Sequence, residues 1–233
     1  MGAQLAVFDG DDTLWLTELL YDEARQAARR IVAAAGADPV RWEAVERRLD
    51  VENVARFGFS AERFPTSCVE AYRAVASPLL PAVEVEVRLA AEAVFTAPAP
   101  LVPDARAVLE ALAASHRLVL LTKGDADVQR QRLETSGLGD LFADVEIVLE
   151  KGHAHFSSLL SRFGASPSLS WSIGNSLRSD IEPALAAGLR AVWIDADVWE
   201  YERHRPGRPD HPGLLVASAL AEVPELIEAA LVR

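Results

Sequence analysis

Three carboxylates, Asp9, Asp11 and Asp12, follow directly on the apolar run Leu5-Ala6-Val7-Phe8. Four consecutive apolar residues read as a short strand buried on both faces, as in a parallel sheet. Charges at the end of such a strand cost several kcal/mol, of order, unless a cation compensates them. An acidic surface turn is one reading, since Asp and Gly are common turn formers. The other is a Mg²⁺-dependent phosphoryl-transfer site, because carboxylate oxygens suit a hard cation and a carboxylate can act as a nucleophile. The rest of the chain separates the two.

Further polar oddities recur at regular intervals. Thr122-Lys123-Gly124-Asp125 follows the apolar run Leu118–Leu121, and Lys151 lies in Glu150-Lys151-Gly152 after Val145–Val148. Gly174-Asn175-Ser176-Leu177-Arg178-Ser179-Asp180 follows Leu169–Ile173. A hydroxyl and glycine-freed N–H groups at a helix start form an anion cradle. Each segment also has a plainer reading. Thr122 or Asp125 could be a helix N-cap, Lys151 a surface lysine, and Ser179 the cap of a strand-to-helix turn. Four plain readings in succession, each at the carboxyl end of a strand, are jointly improbable.

The elements that must position these residues fall into two blocks. Between Trp15 and Phe95 nothing reads as strand. Leu20, Ala24, Ala27, Ile31 and Ala35 form an apolar helical stripe, with Arg25, Arg29 and Arg30 among its polar positions. Gly36 and Asp38-Pro39 mark a stop and a new start, and helices are expected near Val40–Leu49, Ser60–Val75 and Ala82–Phe95. A proline-marked segment from Thr96 to Pro103 returns the chain. Helix and strand then alternate to the end, with a final helix carrying Leu220, Val223, Ile227 and Leu231. Alternation of this kind gives an α/β fold, a doubly wound parallel sheet with right-handed crossovers. Ligands bind beyond the carboxyl ends of such strands. The expected organisation is a core of residues 1–15 and 97–233 with an all-helical insertion, 16–96.

Composition narrows the function. The 233 residues carry a net charge of −12, which argues against a nucleic-acid binder. No apolar run approaches the roughly 18 residues of a membrane span, and no leader-like segment precedes the acidic strand. The single cysteine, Cys68, is read as a core filler and suits a reducing cytoplasm. All but two of the 23 basic residues are arginine. The exceptions, Lys123 and Lys151, mark positions where a compact ammonium point charge is wanted.

This constellation resembles the haloacid-dehalogenase-like (HAD) hydrolase superfamily, phosphatase branch. Asp9-Gly10-Asp11-Asp12-Thr13 is similar to its first motif, Thr122 to its second, Lys151 to its third, and Gly174 to Asp180 to its fourth. The helical block is similar to the family's cap. The resemblance implies that Asp9 is the nucleophile and Asp11 the acid/base. It implies that Thr122, Lys123, Gly124 and Lys151 hold the phosphoryl group. Mg²⁺ would be bound by Asp9, the Asp11 backbone, Asp180 and Asn175. Two departures stand out: Asn175 replaces a frequent aspartate and Lys123 a frequent asparagine. The implied activity is Mg²⁺-dependent hydrolysis of small phosphorylated metabolites by a cytoplasmic monomer or homodimer. A dehalogenase, a phosphomutase or phosphotransferase, and a non-catalytic phospho-acceptor are the alternatives. The Asp11 acid and the metal set speak against the first, and the cap against the last.

Weaker candidates complete the survey. His153 and His155 are poorly spaced for one metal and read as solvent-facing. His204 and His211 lie in a proline-rich loop from Trp199 to Gly213. Trp15, Arg56, Phe57, Phe59 and Arg63 are placed where a cap could face the site, with arginine suited to an anionic substrate.

Overall fold

A computed structural model describes residues 3–196, 199–202 and 208–231. Strand β1 (Leu5–Phe8) is followed by helices α1 (Glu18–Ala34), α2 (Pro39–Glu52), α3 (Val54–Phe57), α4 (Arg63–Val75) and α5 (Pro81–Thr96). Alternation then begins with α6 (Ala105–Ala113), β2 (Arg117–Lys123), α7 (Ala126–Ser136), β3 (Asp144–Val148) and α8 (His153–Phe163). It ends with β4 (Trp171–Gly174), α9 (Glu182–Ala186), β5 (Arg190–Ile194), β6 (Leu214–Ala217) and α10 (Val223–Leu231).

The six strands among the described residues are all parallel, in the order β3-β2-β1-β4-β5-β6. β1 is central, and the chain order reverses beside it, where α/β sheets bind ligands. Side chains alternate across the sheet as period two requires. Ala6, Phe8, Leu118, Leu120 and Ile173 pack on one face with α6 and α10 residues such as Leu109 and Ile227. Leu5, Val7, Val119 and Leu121 pack on the other with Phe156, Leu159 and Leu160 of α8. Burial on both faces explains why these strands are continuous apolar runs. The run Leu214-Leu215-Val216 is drawn out as the sixth strand.

Helices α1, α2, α4 and α5 bury a separate cluster containing Leu20, Trp42, Phe64, Cys68, Tyr72 and Val94. Cys68 is a buried free thiol there, as a filler should be. The α1 stripe is phased differently from expectation. Ala28 and Val32 are buried instead of Ala27 and Ile31, and Arg25 is buried with them. Burial of Arg25 is compensated by Glu46 of α2, whose Oε2 accepts from Nε at 3.0 Å. A purely apolar reading of the stripe could not see this ion pair.

The helix expected over Ser179–Ala187 also differs. Leu177–Ile181 form one wide π-helical turn ahead of α9, and Asp180 sits inside it. The turn is capped by Ser176, whose hydroxyl accepts from the Ser179 N–H at 3.0 Å, so Ser179 is not the cap.

Candidate active site

Asp9 leaves the carboxyl end of β1, and its neighbours converge on it. Lys151 Nζ donates to Asp9 Oδ1 and, at 2.6 Å, to Asp180 Oδ1. Thr13 donates its hydroxyl to Asp9 Oδ2 at a long 3.3 Å. The Lys151 side chain is 2% exposed, so it is not a surface lysine. Burial and the adjacent Asp180 push Asp9 up to about 7, although Lys151 pulls the other way. Burial pulls the Lys151 pKa down, but Asp180 and Asp9 outweigh it and hold it above the ordinary value.

Glycines permit this convergence. A Cβ on Gly174, the last residue of β4, would lie 2.3 Å from Asp180 Oδ2. One on Gly10 would lie 2.5 Å from the Trp15 ring and 3.1 Å from Thr122 Oγ1. That second contact brings Thr122 beside the β1 loop. Asp125 caps α7 by accepting from the Asp127 N–H at 3.0 Å and the Val128 N–H at 3.4 Å. Thr122 is therefore released from capping. Its hydroxyl is buried with no hydrogen-bond partner among the described residues.

Asp11 and Asp12 serve different ends. Asp12, in the left-handed region at φ 57°, accepts from the Thr17 N–H at 2.8 Å and the Glu18 N–H at 3.0 Å, tying down the start of α1. Asp11 is gripped by three donors: Trp15 Nε1 at 2.7 Å, Gln129 Nε2 at 3.0 Å and Arg132 Nη1 at 2.9 Å. Gln129 and Arg132 are the buried residues of α7, and Arg132 Nε and Nη2 have no hydrogen-bond partner among the described residues.

Lys123, at the end of β2, donates to Ser179 Oγ at 2.8 Å and to Glu202 Oε1, beneath the Phe59 ring at 4.1 Å. Glu202 Oε2 also accepts from Ser176 at 2.6 Å and Ser179 at 2.7 Å. Burial opposes the Glu202 charge, but Lys123 and the two hydroxyls hold its pKa below the usual carboxylate value. Asn175 lies in the same cleft and its carbonyl accepts from Trp193 Nε1 at 2.9 Å. Gly124 adopts φ 139° against Gln129.

The helical block closes the other side of the cleft with Glu18, Tyr21, Arg25, Asp50, Phe59 and Arg63. Phe59 meets Trp199 and Tyr201 edge to face, with centroids 6.3 and 5.6 Å apart. Arg63 lies over the Trp199 ring at 4.0 Å. Of the residues expected to face the site, Trp15 is instead fully buried and acts through its N–H. Arg56 and Phe57 turn away, the arginine pairing with Glu70 at 2.8 Å and covering the Phe57 ring. His155 caps the start of α8 by accepting from the Gly152 N–H at 3.2 Å, and His211 accepts locally from Gly213. Both pairings are local and make no contact with the cleft. His204 lies outside the described residues.

Arg132, Gln129 and Glu202 lie outside the motifs of the sequence. For the first two a signal existed, because α7 has little apolar stripe, so its inward face had to be polar. Glu202 approaches from a loop with no such pattern.

The acidic end of β1 at the switch point of a doubly wound sheet, with a buried lysine and a second carboxylate beside it, defines an α/β protein with a carboxylate-centred ligand cleft. The chain belongs to the haloacid dehalogenase-like hydrolases, whose family model matches residues 3–188. A haloacid dehalogenase-like family hydrolase from Xanthomonas campestris is 30% identical, covers 98% of this chain and 96% of its own, and superposes with a TM-score of 0.81. The glyceraldehyde 3-phosphate phosphatase of Methanothermobacter thermautotrophicus is 26% identical over 84% of this chain and 87% of its own. The phosphoserine phosphatase of Thermus thermophilus is 35% identical over 53% of this chain, an alignment spanning 50% of that relative. A 2-haloacid dehalogenase from Pseudomonas syringae shares the fold, with a TM-score of 0.64 at 24% identity.

Proposed function

We propose that this hydrolase is a Mg²⁺-dependent phosphatase of small phosphorylated metabolites, working through an aspartyl-phosphate on Asp9. The observation that carries the reading is the Thr122 hydroxyl, buried without a partner beside the loop that bears Asp9. A buried donor left unmade costs ~1–3 kcal/mol, so it belongs to an acceptor that arrives with the substrate. A phosphoryl oxygen is such an acceptor, and Lys151 supplies the charge to hold it.

The metal fits the donors present. Asp9 and Asp180 share a single ammonium, which leaves one negative charge uncompensated. Asn175 adds an amide oxygen, and the backbone of Asp11 a carbonyl. An all-oxygen set with few charges suits Mg²⁺, which keeps several waters. Among the described residues no three acidic, His or Cys side chains cluster as a metal cage. When bound, the ion supplies charge neutralisation at the transferring phosphoryl group.

The chain's own residues do the rest. Asp9 Oδ2, bonded only at 3.3 Å, attacks phosphorus, the P–O bond to the leaving group breaks, and Asp11 delivers a proton to that oxygen. A water then attacks the phosphorus of the aspartyl-phosphate and gives its proton to Asp11. Phosphate leaves and Asp9 is regenerated. Thr122, the Gly124 region and Lys151 hold the non-reacting oxygens. Two relatives carry phosphatase names, which supports this branch over dehalogenation. The test is release of phosphate from an aryl phosphate with and without Mg²⁺, by native protein and Asp9→Asn. Metal-dependent release abolished in the variant is expected; metal-independent release, or release that survives Asp9→Asn, rules out this mechanism.

A further inference from the structure

Glu202 lies beyond residues 3–188, so the family likeness assigns it nothing. It nevertheless stands in the cleft, with its side chain only 12% exposed. Its two oxygens divide their partners. Oε1 receives the Lys123 ammonium, and Oε2 accepts from the Ser176 and Ser179 hydroxyls at 2.6 and 2.7 Å. Ser179 Oγ in turn accepts from Lys123 at 2.8 Å, and Ser176 Oγ accepts from the Ser179 N–H at 3.0 Å. Each donor in the cluster therefore has an acceptor. A buried polar network satisfied in this way holds its members rigidly against one another.

Two of those members lead to Asp180. Ser176 gives its hydroxyl to Glu202 and its N–H to Asp180 Oδ2 at 3.0 Å, so one residue separates the two carboxylates. Ser179 directly precedes Asp180 in the π-helical turn. Arg178 of that turn donates to the Tyr201 hydroxyl at 3.0 Å and covers its ring at 4.3 Å, which pins residues 199–202 to the turn a second time. The remaining member, Lys123, ends β2. An ammonium has three N–H bonds, and Glu202, the Ser179 hydroxyl and the Phe59 ring face at 4.1 Å take them up. None is left over for a phosphoryl oxygen, and Glu202 already matches the lysine charge.

We infer that Glu202 is a positioning residue of the active site, locking the end of β2 to the turn that bears Asp180. Lys123 is then the strut between the two and not a ligand of the phosphoryl group. This rests on the phosphatase reading and deepens it. The pair stands off from the reacting atoms and acts on Asp180 through Ser176 and Ser179.

Two measurements test this. In the first, substrate-free protein is titrated with Mg²⁺ by calorimetry, which needs no turnover. Glu202→Gln should raise the Kd by about tenfold or more, the scale on which groups behind a metal ligand act. Ser176→Ala cuts the same chain without removing a charge, and should raise it comparably. The double variant should be no weaker than the worse single one, because both changes break one connection. Native affinity in both single variants, or losses that multiply in the double, overturns the positioning role. If Glu202→Gln fails to fold, Ser176→Ala alone decides, with native affinity overturning the role. The second measurement is inhibition of aryl phosphate hydrolysis by orthophosphate at saturating Mg²⁺. Removing one charge would strand the other, so Lys123→Met and Glu202→Gln are combined. The inhibition constant should stay within about threefold of native; a larger rise returns Lys123 to the phosphoryl group and overturns the strut. If Mg²⁺ binds and no phosphate ester is hydrolysed, the phosphatase reading falls, and the calorimetric titrations still decide the role of Glu202.

Discussion

Arg132 Nη1 donates to both carboxylate oxygens of Asp11, at 3.0 and 2.9 Å. The arginine side chain is 5% exposed and the aspartate 32%, so a buried cation grips the group proposed as acid and base. Such a grip fixes where the carboxylate stands. To reach a leaving oxygen Asp11 has to exchange this contact for one with substrate, which a closing cap can drive. Asp11→Asn should lose most turnover while Mg²⁺ binding persists. Arg132→Met should lower kcat by roughly tenfold or more with KM nearly unchanged, since misplacing a reacting group is felt in the transition state. Steady-state kinetics on an aryl phosphate decides this; a native kcat in Arg132→Met removes the positioning role.

Thr122 offers a cleaner test of phosphate binding, because its hydroxyl has no structural partner to lose. Thr122→Val keeps the shape and removes only the donor. Its stability should match or exceed that of the native protein, since a buried orphan is deleted. Turnover should fall by ~10²–10³, the scale of one pre-placed donor. Thermal melts and phosphate release together check it. A variant that is destabilised with its activity intact would show the hydroxyl to be structural.

How much of this could be read in the sequence depends on how locally each feature is encoded. Asp9, Lys151 and Asp180 lie after a strand or its following turn, and Thr122 lies near the end of one. A strand's apolar run and the polar break after it are visible in a single stretch, and the parallel-sheet rule then gathers them. The caps were harder. Ser179 and Ser176 are both plausible N-caps, and a π-helical turn was needed to choose the latter. The α1 phase failed because Arg25 sits on the inner face, and only Glu46, on another helix, makes that burial tolerable. Glu202 and Arg63 depend on tertiary approach alone. Nothing near either one in sequence announces its partner.

The Arg25–Glu46 pair leads to a pH prediction. Burial pushes Glu46 up to about 7 from its ordinary 4.5, against the pull of Arg25. A raised folded pKa means that folding binds a proton. Its stabilising contribution is complete below pH 4.5 and is lost as pH rises through about 7. Glu46→Gln cannot make this change, so the native melting temperature should decline relative to the variant across that window and run parallel above it. Arg25→Met strips the cation and should cost ~3–5 kcal/mol at neutral pH, with much of that recovered in the double variant. Melting both series across pH is the measurement. A native-minus-variant difference that is flat with pH would contradict the assignment.

Gly174 is where the backbone presses on the proposed metal site. An added Cβ would lie 2.3, 2.5 and 2.7 Å from Asp180 Oδ2, Cγ and Cβ, so the whole carboxylate has to move. Asp180 cannot move without giving up the Ser176 N–H at 3.0 Å and Lys151 at 2.6 Å. Gly174→Ala should therefore cost ~1–3 kcal/mol in stability by overpacking. Its functional effect should be larger. With one of two carboxylate ligands displaced, the Mg²⁺ concentration for half-maximal activity should rise by about tenfold or more. Excess Mg²⁺ should restore part of the turnover, which separates a displaced ligand from a collapsed fold. Titrating Mg²⁺ against activity in native and variant protein reads this directly. An unchanged requirement would mean that Asp180 serves only to hold Lys151, and that the metal is held by other oxygens.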